Sequence, residues 1–175
     1  MDDIKTHVTL RDLQESDVED FMQWAADDEV TKHVSWETHK SNAETIDFIS
    51  TIIKPHPWFK AICLDGTPIG SISLTPGSGI HCCRAELGYV LARKYWRKGI
   101  TSQAARLAVS AAFDDLKLER VEALVEPTNV ASKRVLEKAG LECVGLERRY
   151  ILVKGSLRDS LLFSISSEKY KLSAA

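Results

Sequence analysis

Three short stretches of this 175-residue chain hold residues whose types and spacing can do chemistry. In "YWRKGITSQAARLA", residues 95–108, Arg97, Lys98 and Gly99 stand at the mouth of a run with helical spacing. A glycine-containing turn from a strand into a helix presents bare backbone N–H groups, and such a helix N-terminus binds phosphate or pyrophosphate. Residues 97–102 would supply the amides, with Arg97 or Lys98 adding charge. The chain carries neither G-x-x-x-x-G-K-[ST] nor G-x-G-x-x-G, which argues against a nucleoside-triphosphatase loop and a dinucleotide fold. A plain helix start with solvated cations fits the same residues.

In "AELGYVL", Glu86 lies mid-strand, and period two puts Glu86, Gly88 and Val90 on one face. A carboxylate among apolar neighbours needs a partner or a use. Arg84, two residues away on the same side, is one available partner. Gly88 marks a bulge or the close approach of a backbone or ligand. In "EPTNVASKRVLEKAG", Pro127 ends a strand and Asn129 takes the N-cap of the next helix. Ser132 falls one turn inside it, facing back toward the strand ends. Capping alone accounts for Asn129, and a neutral helix position for Ser132.

The elements that must position these residues follow from pattern. Residues 7–13 alternate as a strand, and Ser16 with Glu19 reads as a capping box for a helix through Phe21, Met22 and Ala25. Ser41 with Glu44 opens a second helix that "KPHP" ends. Strands 58–64 and 69–75 flank the turn "DGTP", and "TPGSG" turns the chain into 81–91. A helix from about Ile100, a strand "RVEALVE", a helix Asn129–Ala139 stopped by Gly140, and strands 141–152 and 157–165 complete the order. The expected architecture is a single α/β domain over residues 1–175 with a mixed sheet and parallel crossovers near its middle.

Composition bounds the function. With 44% hydrophobic and 27% charged residues the chain is an ordinary globular one. A net charge of −2 argues against non-specific nucleic-acid binding. "MDDIKTH" has no apolar leader region and no run reaches membrane-spanning length, so a cytoplasmic protein is expected. Cys63, Cys82, Cys83 and Cys143 lack zinc-site spacing, and Cys82 and Cys83 are read as pointing to opposite faces of a strand. His33, His39, His56 and His81 also lack ligand spacing, so no metal is expected.

The succession of "AELGYVLARKYWRKGITSQA", a strand, and "NVASKRVLEKAGL" resembles the GNAT superfamily of acyl-CoA-dependent N-acyltransferases. The likeness is greatest to the RimJ/RimL-like branch, which acetylates N-terminal amines of ribosomal proteins. It spans nearly the whole chain and is most specific over residues 85–141. The family's cradle reads Q/R-x-x-G-x-G/A; here Trp96, Gly99 and Thr101 hold the three defined positions, and only the glycine matches strictly. The resemblance implies a seven-stranded, mostly antiparallel sheet splayed at its centre, with about four flanking helices. It also implies acetyl-CoA as co-substrate, in a monomer or homodimer. Tyr89, Val90 and Leu91 would offer backbone groups to the pantetheine arm, and Arg97, Lys98, Gly99, Ile100, Thr101 and Ser102 would hold the pyrophosphate. Asn129 would contact the pantetheine. Many relatives carry a tyrosine seven residues beyond that Asn as general acid; here Leu136 stands there, and Ser132 is the substitute.

An amine with a pKa near 10 is mostly protonated at neutral pH and cannot attack a thioester, so a base is needed. Glu86 matches the strand-four glutamate of histone-acetylating relatives, whereas RimL-type enzymes favour a glutamate nearer the last strands, where this chain offers Glu147. The amide of Val90 would stabilise the oxyanion. In the segment joining the first two helices, Asp27, Asp28 and Glu29 either attract a cationic amine or form a solvated turn. Trp24 and Trp36 either line an acceptor slot or belong to the core. A protein or peptide N-terminus is the first expectation for the acceptor, and a polyamine or amino sugar the second. A non-catalytic acyl-CoA-binding module is the alternative from another class.

Overall fold

The computed structural model describes residues 7–174; the reading of the first residues as leader-free concerns 1–6, which lie outside them. The elements are β1 (Val8–Asp12), α1 (Val18–Ala25), α2 (Asp28–Thr31), α3 (Asn42–Phe48), β2 (Phe59–Leu64) and β3 (Thr67–Pro76). They continue through β4 (Arg84–Leu91), α4 (Ile100–Ser110), β5 (Arg120–Val125), α5 (Val130–Lys138), β6 (Glu142–Val153), β7 (Ser156–Ser166) and α6 (Ser167–Ala174). The strands form one seven-stranded sheet in the order β1-β2-β3-β4-β5-β7-β6. Among the described residues only β4 and β5 pair in parallel.

Helices cover both faces, and each face has its own core. On one side Ile72, Leu74 and Leu87 pack under Ile100, Ala104 and Ala108 of α4. On the other, Phe21 and Trp24 of α1 and Ile49 beyond α3 close over Ala61 and Cys63 of β2 and Ala92. Trp24 has no exposed surface and is core; Trp36 is partly buried against the same cluster.

Two short hairpins follow from turn chemistry. Asp65 and Gly66 (φ 49° and 86°) join β2 to β3, and Lys154 and Gly155 (φ 48° and 76°) join β6 to β7. Two left-handed residues in succession give the turn whose twist matches the strands.

Several local expectations are corrected. Ser16 caps nothing: Asp17 accepts from the Gln14 backbone N–H (2.9 Å) and from both terminal nitrogens of Arg11 (2.7 and 2.8 Å). A charged fork outbids a neutral hydroxyl for control of that chain entry. Ser41 does cap α3, accepting from Glu44 N–H at 3.2 Å. Cys82 and Cys83 lie in the turn before β4, exposed, rather than on a strand. Gly88 is not at a bulge, since β3 and β4 pair without a register shift from Gly70↔Leu91 to Pro76↔Ala85. Besides the four helices expected, the described residues include the short α2 and the terminal α6.

Candidate functional site

The sheet comes apart where the resemblance requires it. β4 pairs with β5 only through Arg84↔Arg120, Ala85↔Val121 and Glu86↔Glu122, so the next five residues of β4 lose their neighbour on that side. Backbone direction alternates along a strand, and each residue's N–H and C=O point the same way. The Arg84 carbonyl accepts from Gly77 and the Ala92 amide donates to Ile69, so even-numbered residues face β3. The Cys83 carbonyl accepts from Glu119 on the β5 side. Tyr89 and Leu91 therefore turn their amides into the gap, while the Val90 amide, expected there, is turned toward β3.

At the mouth of the gap the chain enters α4. Arg97 (φ 62°) and Gly99 (φ 74°) are both left-handed, and no side chain caps the helix. Nothing lies within 4 Å of where a Gly99 Cβ would stand. Bare first-turn amides opening on free space suit an anion. This cradle and the unpaired β4 edge fit the pyrophosphate and pantetheine of a coenzyme A thioester. Trp96, the departure from the family motif, donates its indole N–H to the Leu91 carbonyl at 2.7 Å. That bond pins the loop to the end of β4 and occupies one of the expected pantetheine contacts.

Asn129 caps α5, its side-chain oxygen accepting from Ser132 N–H at 3.0 Å. The Ser132 hydroxyl lies 2.7 Å from the Tyr89 hydroxyl, which also donates to the Ser132 carbonyl at 3.1 Å. Burial pushes the Tyr89 phenol up to about 12, with the Ser132 bond opposing. Leu136 is sealed in the core.

On the opposite face of the sheet a groove of about 210 Å³ is lined by Thr75, Glu86, Glu122, Leu124, Tyr150 and Leu162, among others. Arg84 binds both oxygens of Glu122 at 3.1 Å, and Arg120 binds it at 2.6 Å. Glu86 is left without a hydrogen-bond or ion-pair partner among the described residues, so the expected pairing with Arg84 does not form. Solvent reaches Glu86 from the groove mouth, yet desolvation, and secondarily Glu122, hold its carboxyl above the ordinary carboxylate value. Tyr150 reaches the lining because β6 is irregular between Glu147 and Ile151, with Arg149 at φ 50° donating its N–H to Asp159. Glu147 is exposed and is not part of the lining.

Two of the three carboxylates in the acidic segment after α1 have cationic partners, and the third has a hydroxyl. Asp27 pairs with Arg93 (2.9 Å), Glu29 with Lys32 (2.8 Å), and Asp28 accepts from Thr38 (2.7 Å). Lys154, at the β6–β7 turn, donates to the Thr31 carbonyl, tying that segment to the last hairpin. Among the described residues no histidine, cysteine or carboxylate cluster could hold a metal, and no helix is long and apolar enough to cross a membrane. Sequence reasoning missed Tyr150, Glu122 and the Tyr89 hydroxyl; the alternation of "RVEALVE" put Glu122 within reach, but nothing local announced the other two.

Residues 7–142 match the family model described as an acetyltransferase (GNAT) domain. The chain is similar to the N-acetyltransferase p20 of Bacillus licheniformis, 30% identical over 93% of this chain and 94% of that one. It is 26% identical over 96% of both chains to YdaF of Bacillus subtilis, whose name assigns it provisionally to ribosomal N-acetylation. The spermidine N(1)-acetyltransferase of Escherichia coli is 26% identical over 61% of this chain and 56% of its own. Among solved structures, RimJ of Mycobacterium smegmatis in complex with CoA-disulfide superposes with a TM-score of 0.81 at 25% identity, covering 95% of this chain and 88% of that one.

Proposed function

Because this chain belongs to the GNAT family of acetyl-CoA-dependent N-acetyltransferases, we propose that its acceptor is the N-terminal amine of a protein or peptide and that Glu86 takes the proton from it. The observation that carries this reading is the count of free carboxylates lining the groove. Two line it; Glu122 already has cationic partners, while Glu86 has none among the described residues. One unneutralised carboxylate suits one ammonium; a polyamine would need several. Leu124, Leu162 and Tyr150 give the groove an apolar wall for a first side chain.

The proton balance agrees. A backbone α-amine has a pKa of about 7.7–8.0, so a modest base suffices to free it. The raised carboxyl of Glu86 narrows the gap between base and amine further. Once the amine attacks, the gap-facing amides of Tyr89 and Leu91 are the donors placed to stabilise the oxyanion. The first turn of α4 holds the pyrophosphate, Asn129 meets the pantetheine, and Ser132 protonates the departing sulfur. Acetyl-CoA supplies the activated acyl group.

The test is thiol release from acetyl-CoA with a panel of free-N-terminus peptides, the same peptides blocked at the N-terminus, and spermidine. Turnover with free peptides alone is expected. Faster turnover with spermidine, or equal turnover with blocked peptides containing lysine, would contradict the assignment.

A further inference from the structure

We infer that Tyr89 is a positioning residue that supplies, through the Ser132 hydroxyl, the proton taken by the departing thiolate. The inference rests on the reading of Ser132 as the acid. Its ground is the geometry that joins two elements across the gap: a phenol from β4 whose oxygen lies 2.7 Å from Ser132 Oγ and 3.1 Å from Ser132 O. The shorter distance is that of a well-formed O–H···O bond.

Tyr89 has one hydroxyl hydrogen and two acceptors. When that hydrogen goes to the Ser132 carbonyl, Ser132 O–H donates back to the phenol and its proton is committed. When it goes to Ser132 Oγ instead, the serine hydrogen is released toward the gap. Tyr89 thus decides whether Ser132 can donate outward. Its ring packs against the α4-side core, which holds the phenol in place.

The transfer balances. As the carbon–sulfur bond breaks, its electron pair passes to sulfur. Ser132 Oγ gives its proton to that sulfur, and Tyr89 Oη gives its proton to Ser132 Oγ. The phenolate left behind recovers a proton from solvent. The ammonium loses two protons in all, one to Glu86 before attack and one from the nitrogen of the tetrahedral adduct; both pass to solvent, so that one restores the phenol and one is released with the amide and the free thiol. A serine hydroxyl alone is a much weaker acid than a phenol, and a thiolate of pKa near 8.5 is a weak base. The phenol keeps an alkoxide from forming, even with burial raising it to about 12.

A double-variant cycle tests this with Tyr89→Phe, Ser132→Ala and the pair together. The readouts are kcat at saturating acetyl-CoA, a proton inventory in mixed light and heavy water, and acetyl-CoA affinity by calorimetry. Tyr89→Phe is expected to lower kcat about 10²-fold with affinity unchanged. The double variant should be no slower than Ser132→Ala, and the inventory should change from curved to linear. Parental kcat in Tyr89→Phe, or losses that multiply in the double variant, would overturn the relay while Ser132→Ala still reports on Ser132. A fully active Ser132→Ala enzyme would overturn the reading beneath it. Independently of turnover, the parent labelled at its four tyrosines with 3-fluorotyrosine should show one fluorine resonance that Ser132→Ala displaces. Four unmoved resonances would mean that the two hydroxyls are not in contact, and the relay would fail.

Discussion

Glu86 and Glu122 face each other in register across the parallel pair β4–β5, and both nearby guanidinium groups, Arg84 and Arg120, are bound to Glu122. The fold neutralises one carboxylate of the pair and leaves the other exposed to desolvation and to like charge.

This arrangement weakens the fold at neutral pH. Glu86's folded pKa is raised, first by desolvation and then by Glu122, so the folded state holds the proton more tightly than the unfolded chain. Stability is then full below the ordinary carboxylate value of about 4.3 and falls as pH rises through the raised folded value. Glu86→Gln carries no such penalty. Its urea midpoint should exceed the parent's at neutral pH, and the difference should vanish in acid. A variant no more stable than the parent at neutral pH would show that Glu86 is well solvated in the groove.

Gly99 and Lys98 separate backbone access from charge. At φ 74° a β-branched side chain costs about 1–2 kcal/mol of strain, and it stands in the open space before the first-turn amides. Gly99→Val should lose most of the affinity for acetyl-CoA. Lys98→Ala should lose little, and that little should shrink as salt is added. Comparable losses in calorimetric titrations would mean that charge, rather than bare backbone, holds the coenzyme.

Two substitutions separate the cap that Asn129 forms from its proposed contact with the pantetheine. Its oxygen caps α5 through Ser132 N–H, and its NH₂ is the end proposed to meet the coenzyme. Asn129→Ala should lower stability by about 1 kcal/mol and weaken acetyl-CoA binding. Asn129→Asp keeps the cap, so melting should hold while binding weakens. Parental affinity in Asn129→Asp would reduce the residue to a cap.

Much of the framework was legible because local chemistry decided it. Asn129 and Ser41 cap where short polar residues precede apolar runs, and Gly99 marks a left-handed entry. What stayed hidden depends on long-range pairing. Arg84 sits two residues from Glu86, and nothing local says that it will choose Glu122 from another strand. Tyr89 was read for its backbone, and only tertiary packing brings its hydroxyl to Ser132 of α5. The direction of the Val90 amide follows from strand register, which the chain's periodicity leaves open. Tyr150 reaches the groove through an irregularity in β6 with no glycine to announce it.

Whether Glu86 frees the attacking amine is decided by kcat for Glu86→Gln and Glu147→Gln at neutral pH, with acetyl-CoA affinity measured alongside. Glu86→Gln should lower kcat by about tenfold at unchanged affinity, which is what freeing an α-amine of pKa about 7.7–8.0 can contribute at neutral pH, and the deficit should vanish as pH rises past the acceptor's own pKa. Glu147, exposed and outside the groove lining, should tolerate glutamine with activity near the parent's. A fully active Glu86→Gln enzyme would contradict the claim, and an inactive Glu147→Gln enzyme would move the base to the last strands.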